Sequence, residues 1–331
     1  MNIQIEKTGS YLPELVITND DLATIVDTND EWISTRSGIK SRHYTSGEPT
    51  WFMGKTAAER ALEGIDPTTI GLIIVTTVTP DYMTPATASI MQAELGATNA
   101  FCFDLNAGCT GFVFALDVAA TYLAAMPFER ALVIAAETLT KQTDFEDRKT
   151  CVLFGDGAGA VLLRKTPAGE SSAFHGRFMG GTGDGAEYLV GKAFEVKHPF
   201  LPEETFPERF PEHEAGRDFS MAGREVYKFA VNALPEAVEK AVADAGWEIG
   251  DVDLIVPHQA NSRIIQGAAR RLKVDDSVMI DRIETIGNTS SATIPIVLDA
   301  LVREGRVKRG MNVVFCGFGG GLCYGAVAFT Y

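Results

Sequence analysis

Two distant segments of the chain repeat the same order of elements, and this repeat strongly constrains the fold. Residues 54–80 and 231–260 each predict a helix, a short break at Gly or Pro, and then a continuous apolar strand. An uninterrupted run such as Leu72-Ile73-Ile74-Val75 is typical of a strand buried on both faces, as in a parallel sheet covered by helices. The segments that follow, 131–163 and 312–329, also resemble each other. The pattern predicts an internal duplication of about 110 residues.

The predicted architecture is an α/β fold made of two similar halves, residues 1–170 and 171–331. Helices that alternate with buried strands form α/β layers, and two copies of one unit are expected to meet near a pseudo-twofold axis. A functional site would then take residues from both halves. The stretch 176–219 fits no period and contains four prolines between 199 and 211, so we expect a long irregular excursion that is functional or mobile.

The composition argues against several classes of partner and site. A formal charge of −15 over 331 residues disfavours nucleic acid and anionic membranes, because both require a basic surface. No window reaches the roughly 18 uncharged apolar residues that span a bilayer, and the N-terminus lacks a basic segment followed by an apolar one, so we expect a cytoplasmic protein. The five cysteines show no CxxC spacing, which argues against disulfides and structural zinc. We expect no metal, and any functional cysteine should be a free thiol.

Cys109 lies in a turn of small residues, NAGCTG, that precedes apolar positions at helical spacing. A thiol at a helix N-terminus is stabilised as the anion, so its pKa is expected to fall, and small neighbours leave room for a bulky substrate. The alternative is a small apolar residue that fills a tight corner, and for an arbitrary cysteine that alternative is the more common one.

His258 and Asn288 are candidates to act with this cysteine. His258 ends a buried strand in LIVPHQAN, and Asn288 lies in GNTSSATIP, another small-residue turn that opens a helix. Alone, the two would be read as a structural histidine and a helix-capping asparagine. Together with Cys109 they form a possible nucleophile with two polar partners, and the glycine-rich turn 317–325 could supply an oxyanion-hole donor.

Eight segments occur together in one order along the chain: GSYLPELVITNDDL, TNDEWISTRSGIKSRH, CTGF, LFGDGAGAVLL, SMAGREVYKFAV, LIVPHQANSRII, GNTSSATIPIVLDAL and FGGGLCYG. In this combination the chain resembles the β-ketoacyl-acyl-carrier-protein synthase III family over nearly its full length. The resemblance implies a thiolase-like fold, with two α/β halves in a five-layered α-β-α-β-α arrangement. It also implies a homodimeric acyltransferase of fatty-acid biosynthesis.

The resemblance also implies a role for each candidate residue. Cys109 would take an acyl group from acyl-CoA, and His258 and Asn288 would promote the decarboxylation of malonyl-acyl carrier protein, whose enolate condenses with that acyl group. The backbone N–H groups of Cys109 and Gly320 would form the oxyanion hole. Neither a metal nor an organic cofactor is implied.

Three further groups of residues are assigned, two by resemblance to the family and one, the arginine group, because Arg263 and Arg270 share a face of a predicted helix in an acidic chain. The CoA-binding group is Thr28, Trp32, Arg36, Arg148 and Asn261. The primer-pocket group is Thr84 and Phe318, and the carrier-protein docking group is Arg263, Arg270 and Arg271. A Trp and Arg pair can stack on a base and bind phosphates, whereas packed aromatics and solvated arginines are the plain alternative.

Three departures from the family bear on the substrate. Cys323-Tyr324 follows the glycine run where the family commonly has Thr-Trp, and the segment 183–216 is longer than expected. Thr84 stands where many relatives carry an aromatic residue that closes the primer pocket across the dimer. We therefore hypothesise a primer longer or more branched than acetyl.

Four alternatives remain open from the residues. A cysteine hydrolase of the papain type also uses Cys, His and Asn in this order, but its C-G-[SA]-C-[WY] signature is absent. A thiolase would need a second cysteine at Gly317, whereas Cys316 is displaced to the opposite strand face and is expected in the core. The triad also fits a condensation or acyl transfer in specialised metabolism. A non-catalytic partner subunit is disfavoured, because all three side chains are retained.

Overall fold

The computed structural model describes residues 3–167, 173–191, 199–200 and 218–331. Within these residues the strands are β1 (Ile3–Tyr11), β2 (Leu15–Thr18), β3 (Ser41–Tyr44), β4 (Ile70–Thr76), β5 (Phe101–Leu105), β6 (Arg130–Thr138), β7 (Asp156–Lys165), β8 (Phe174–Gly181), β9 (Leu189–Val190), β10 (Ser220–Met221), β11 (Leu254–Pro257), β12 (Asn312–Gly319) and β13 (Cys323–Thr330). The α-helices are α1 (Asn19–Leu22), α2 (Asp30–Ser37), α3 (Thr50–Ala61), α4 (Thr87–Leu95), α5 (Gly111–Ala125), α6 (Gly223–Asp244), α7 (Ser262–Leu272), α8 (Ile283–Ile286) and α9 (Thr293–Arg303).

Two sheets repeat one pairing pattern, which confirms the predicted duplication. The first runs β1-β7-β6-β4-β5 and the second runs β8-β13-β12-β11. In each sheet one parallel pair, β4 with β6 or β11 with β12, is followed by two antiparallel pairs. β5 pairs in parallel with β4, and its counterpart in the second sheet is a single parallel bridge between Ile255 and Met279.

The elements stack in five layers, as the resemblance implied. α3 and α4 cover one face of the first sheet, α5 and α9 lie between the two sheets, and α6 and α7 cover the far face of the second. On β4, Leu72 and Ile74 face the middle helices while Ile73 and Val75 face α3. All four are fully buried, which explains the uninterrupted apolar run.

The two sheets use separate parts of the chain. Strands of the first come from residues 3–165, and strands of the second from residues 174–330. Residues 168–172 lie outside the described residues, so the boundary at 170/171 stays a prediction.

The helix that follows the nucleophile turn corrects one expectation. Gly108–Ala125 is long and apolar enough to cross a membrane by length and composition, although no such window was expected. Half of this window is buried, and α5 packs between the two sheets through Phe112, Leu116 and Leu123. Its apolar character is therefore that of a helix covered by sheets on two sides.

The predicted excursion from 176 to 219 is wrong at its start. Residues 176–181 belong to β8, which pairs with β13, and glycines within the strand hide the apolar period from a sequence pattern. A 3₁₀ turn, Gly183–Tyr188, follows, and Leu189–Val190 pairs with Ser220–Met221. Residues 192–198 and 201–217, with three of the four prolines, lie outside the described residues.

Candidate active site

The turn that carries Cys109 is held where the ends of two sheets meet. β5 ends at Leu105, a 3₁₀ turn spans Gly108–Thr110, and α5 begins at Gly111, which confirms the predicted position at a helix start. A Cβ atom on Gly319 would lie 2.7 Å from the backbone nitrogen of Cys109. Because that distance is shorter than real Cβ contacts, glycine at 319 is what lets β12 approach the nucleophile.

Asn288 occupies the corresponding place before the other middle helix. A 3₁₀ turn, Ser290–Ala292, separates it from α9, as Gly108–Thr110 precedes α5. Its Oδ1 accepts a hydrogen bond from the Ser290 backbone N–H at 2.9 Å, so Nδ2 is the group left to donate. The Ser290 hydroxyl donates to Cys109 Sγ at 3.4 Å and thereby links the two turns.

His258 follows β11 and is almost fully buried, with 1% of its surface exposed. Its ring packs edge-on against Phe318 with centroids 5.5 Å apart, and Nδ1 lies 2.7 Å from Thr293 Oγ1. Burial lowers the pKa of His258 to about 3. The imidazole is therefore neutral at physiological pH.

Burial also sets the direction in which the pKa of the Cys109 thiol shifts. Loss of water raises its pKa to about 12, Glu137 and Cys323 add to that rise, and the hydrogen bond from Ser290 opposes it. The expected lowering of this pKa is thus wrong for the chain without substrate, because the thiolate loses more solvation than Ser290 returns. Without substrate, Cys109 is therefore a protonated thiol at physiological pH.

Two cavities meet at Cys109. The larger, of about 400 Å³, is lined by Cys109, His258 and Asn288, together with Trp32, Arg36 and Phe318 at other points. The smaller, of about 220 Å³, is lined by Cys109 and Gly320 and by apolar side chains that include Val78, Leu139, Leu189 and Phe219. The sulfur can therefore be reached from one cavity while a group bonded to it extends into the other.

Two of the residues predicted to bind CoA, Arg36 and Arg148, pack against Trp32. The guanidinium groups of Arg36 and Arg148 lie 4.6 and 4.3 Å from the centre of its ring. Arg148 also pairs with Asp27 at 3.1 Å. Thr28 has a buried hydroxyl with no hydrogen-bond partner among the described residues, and it does not line the larger cavity.

Asn261 lines the larger cavity but its amide already has structural partners. Its Oδ1 caps α7 by accepting from the Arg263 backbone N–H, and its Nδ2 donates to the Arg36 carbonyl at 2.9 Å. Arg263, Arg270 and Arg271 are exposed on the same helix, and Arg263 borders the cavity.

Some predicted residues are not brought together as expected. Thr84 is exposed, its hydroxyl donates to the Met83 carbonyl, and it lines neither cavity of this chain. Phe318 lines the larger cavity rather than the smaller one. Cys316 is fully buried in the core, as predicted, and Cys323 packs behind the nucleophile turn, 3.0 Å from Thr110 Oγ1.

Three residues at the site were missed by the sequence reasoning. Ser290 and Thr293 lie inside the quoted GNTSSATIP motif, but their partners are distant in sequence. Glu137 is fully buried and accepts hydrogen bonds from the hydroxyls of Thr77, Thr79 and Ser291 and from the Val78 N–H. Glu137 could have been found in the sequence, because it is a charged residue at the end of the apolar strand ALVIAAE.

Two family models match the chain. The model of 3-oxoacyl-[acyl-carrier-protein] synthase III matches residues 103–183, and the model of its C-terminal region matches residues 242–331. The first match contains Cys109, and the second contains His258 and Asn288.

Known proteins match over the whole chain. A β-ketoacyl-[acyl-carrier-protein] synthase III of Clostridium acetobutylicum is 45% identical over 100% of this chain and 99% of that protein. The crystal structure of the 3-oxoacyl-[acyl-carrier-protein] synthase III of Aquifex aeolicus is 39% identical, with a TM-score of 0.90 over 99% of this chain and 100% of the other. The priming β-ketosynthase of the R1128 polyketide pathway is 36% identical, with a TM-score of 0.90 over 99% of this chain and 96% of the other.

Proposed function

The chain belongs to the β-ketoacyl-acyl-carrier-protein synthase III family, a family of condensing acyltransferases of fatty-acid biosynthesis, and we propose that Cys109, His258 and Asn288 carry out its reaction. The substrates are an acyl-CoA and malonyl-acyl carrier protein. The observation that carries the proposal is that these three side chains, drawn from both sheets, line one cavity of about 400 Å³.

The first half-reaction transfers the acyl group to Cys109. Sulfur attacks the thioester carbonyl, the bond from that carbon to the CoA sulfur breaks, and the thiol proton leaves with CoA. The backbone N–H groups of Cys109 and Gly320 hold the oxyanion, which is supported by both residues lining the smaller cavity. The acyl chain then extends among the apolar side chains of that cavity.

The second half-reaction forms the new carbon–carbon bond. Malonyl-acyl carrier protein loses CO2, and the resulting enolate oxygen accepts hydrogen bonds from His258 and from Nδ2 of Asn288. The enolate carbon attacks the acyl carbonyl, the bond to Cys109 sulfur breaks, and the thiolate takes a proton from water. Both donors are neutral, so they stabilise the enolate without protonating its carbon.

The larger cavity accommodates the carriers. Trp32 with Arg36 and Arg148 provides an aromatic face and two cations for the base and phosphates of CoA, and Asn261 lines the same cavity. Thr28 is not among the residues that line this cavity, so its part in CoA binding stays a prediction. The exposed arginines of α7, beginning with Arg263 at the cavity rim, receive the acidic carrier protein. This scheme requires neither a metal nor an organic cofactor.

The enzyme acts as a homodimer in the cytoplasm. β5 is an edge strand of the first sheet among the described residues, and it exposes 41% of Phe101 beside Tyr122. An unpaired edge with exposed aromatic side chains favours pairing with a second copy. In the dimer Thr84 of one copy is expected to approach the primer cavity of the other, where its small side chain leaves space.

Variants that separate the half-reactions test the proposal. Cys109→Ala should not be acylated by acyl-CoA, whereas His258→Ala and Asn288→Ala should be acylated but release little CO2 from malonyl-acyl carrier protein. Cys102→Ser, which alters a thiol outside both cavities, is the control and should retain both activities. Condensation at the normal rate by His258→Ala would refute the assigned role.

The preferred primer is determined by measuring the rate of Cys109 acylation with a panel of acyl-CoA thioesters. Branched and longer primers should acylate Cys109 faster than acetyl-CoA if Thr84 leaves the cavity open. A preference for acetyl-CoA across the series would contradict that hypothesis and leave the triad unaffected.

The R1128 priming β-ketosynthase supports the alternative of specialised metabolism, because it shares this fold at 36% identity. The same panel distinguishes fatty-acid initiation from specialised metabolism when an alcohol or an amine replaces malonyl-acyl carrier protein as the acceptor. Transfer to that acceptor without CO2 release would favour the alternative.

A further inference from the structure

We propose that Thr293 is a positioning residue whose hydroxyl donates to Nδ1 of His258 and so keeps the imidazole proton on Nε2. This inference rests on the proposed function, in which His258 donates to the enolate. Thr293 is fully buried at the first turn of α9, and its Oγ1 lies 2.7 Å from Nδ1. Thr293 is not itself in contact with the cavity and acts through His258.

The single hydroxyl hydrogen of Thr293 has two acceptors within reach. Nδ1 of His258 is at 2.7 Å, while the Ser290 carbonyl is at 3.1 Å, near the long end of the range for O–H donors. The Gln259 backbone N–H donates to Oγ1 at 3.2 Å and uses one of its lone pairs. We assign this hydrogen to the shorter contact, which leaves Nδ1 as the bare nitrogen of the ring. In the reverse arrangement Nδ1–H donates to Oγ1 and the hydroxyl donates to the Ser290 carbonyl, and that arrangement is the one that overturns the proposal.

The tautomer matters because a neutral imidazole has one donor and one acceptor. With Nδ1 accepting from Thr293, the hydrogen must reside on Nε2, the nitrogen available to the cavity. Within the described residues no carboxylate pairs with His258 to set its tautomer, as a carboxylate does in many catalytic histidines. Thr293 therefore has that role here.

The orientation of the Asn288 amide is likewise set by a hydrogen bond, from the turn Ser290–Ala292 that precedes Thr293. Its acceptor, Oδ1, is occupied by the Ser290 N–H, which leaves Nδ2 as the donor. The turn before α9, through Ser290, and the first residue of that helix, Thr293, thus fix the two members of the pair in their donating form. The two donors reach one cavity because the turn before α9 is continuous with the helix that carries Thr293.

The proton position is measured directly by nitrogen NMR of the protein labelled with 15N-histidine. The chain has five histidines, and His258→Gln identifies the signals of His258 by their loss. We expect the Nε2 signal at the protonated position and the Nδ1 signal at the bare position at neutral pH. A proton on Nδ1 would overturn the proposal whatever the activity of any variant.

Activity of matched variants gives the second readout. Thr293→Val removes the hydroxyl and keeps the shape, so CO2 release from malonyl-acyl carrier protein should fall at least about tenfold while Cys109 acylation stays within about twofold. Thr293→Ser keeps the hydroxyl and should recover most of the rate. Thr166→Val is the control, because its buried hydroxyl has no hydrogen-bond partner among the described residues and it lines neither cavity, and it should leave both half-reactions near the unaltered rates.

The outcomes separate this inference from the proposed function. Normal CO2 release by Thr293→Val overturns the inference and leaves the function intact. Equal loss of acylation and CO2 release also overturns it, since a packing defect would affect both. Failure of the unaltered protein to be acylated at Cys109 would instead refute the function.

Discussion

His258 is almost fully buried and Cys109 is partly buried where two cavities meet, and among the described residues neither has an opposite charge beside it. Loss of solvation raises the pKa of the thiol and lowers the pKa of the imidazole, and Glu137 adds to the rise at Cys109. The motifs predicted that Cys109, His258 and Asn288 come together, but the lowered pKa expected for the Cys109 thiol is wrong. Protonation depends on packing from both sheets, which no local pattern records.

The second half-reaction should therefore show no loss of rate centred near pH 6.5. Because the pKa of His258 is held at about 3, the imidazole stays neutral between about pH 8 and about pH 5. The same shift stabilises the fold above the ordinary pKa of 6.5, and that stabilisation is lost as pH falls towards 3. Enzyme acylated at neutral pH and mixed with malonyl-acyl carrier protein across this range reports the CO2 rate. An acid limb near pH 6.5 that His258→Gln removes would contradict the account.

Gly319 is expected to tolerate no side chain. A Cβ at this position would lie 2.7 Å from the Cys109 nitrogen and 3.1 Å from its Cβ, so Gly319→Ala must displace the nucleophile turn. We expect destabilisation of about 1–3 kcal/mol and a large loss of acylation. Gly250→Ala is the control, since nothing lies within 4 Å of its Cβ position. Thermal unfolding and acylation rates check both, and equal behaviour of the two variants would refute the packing argument.

At the scale of elements, Glu137 joins three parts of the site. Glu137 lies near the end of β6. Its Oε2 accepts hydrogen bonds from the Thr79 hydroxyl and the Val78 N–H in the loop after β4, and its Oε1 accepts one from the Ser291 hydroxyl in the turn before α9. The loop after β4 leads to Thr84, and the turn before α9 contains Ser290, which contacts Cys109. Glu137 thus fixes the two loops relative to the nucleophile.

Glu137→Ala should destabilise the protein by about 3 kcal/mol, because several buried donors lose their acceptor. Glu137→Gln should lose much less stability, because the only group bonded to Oε1 is the Ser291 hydroxyl. That hydroxyl can rotate and accept a hydrogen bond from an amide NH2 at the same place. The exposed Glu239→Ala should change stability by less than about 0.5 kcal/mol. Denaturant unfolding measures all three, and a Gln variant as unstable as the Ala variant would contradict the assignment.

Some elements could be predicted from sequence and others could not. The helix–strand units ending in β4 and β11 were predicted because their strands are uninterrupted apolar runs. β8 was missed because glycines interrupt its pattern. The reduction of the β5 counterpart to one bridge at Met279 depends on pairing across the sheet, which the local sequence does not encode.

At the scale of the whole molecule, the site exists only because two copies of one unit face each other. Cys109 precedes α5 and Asn288 precedes α9, and these two helices form the middle layer. The repeat predicted the duplication and a site that takes residues from both halves, but it did not predict that the starts of α5 and α9 meet there. The resemblance supplied the roles that a repeat alone cannot assign.

The β5 edge of the first sheet, which is unpaired within the part of the chain that the structure describes, should mediate dimer formation. Phe101 on β5 is 41% exposed and contacts Tyr122, so Phe101→Lys should weaken the dimer by placing a charge in an apolar contact. Leu15→Lys, at a residue 43% exposed on β2, is the control and should leave the dimer intact. Light scattering coupled to size exclusion gives the masses. A monomeric unaltered protein, or equal effects of the two variants, would contradict this assignment.

The most direct test of the central claim is an intact-protein mass measurement in two stages. After acyl-CoA is added, we expect a mass increase of one acyl group, which peptide mapping places on Cys109 and which Cys109→Ala lacks. Malonyl-acyl carrier protein should then remove that mass and yield 3-oxoacyl-acyl carrier protein, but not in His258→Ala. Acylation at another residue, or an acyl group that malonyl-acyl carrier protein does not remove, would contradict the account.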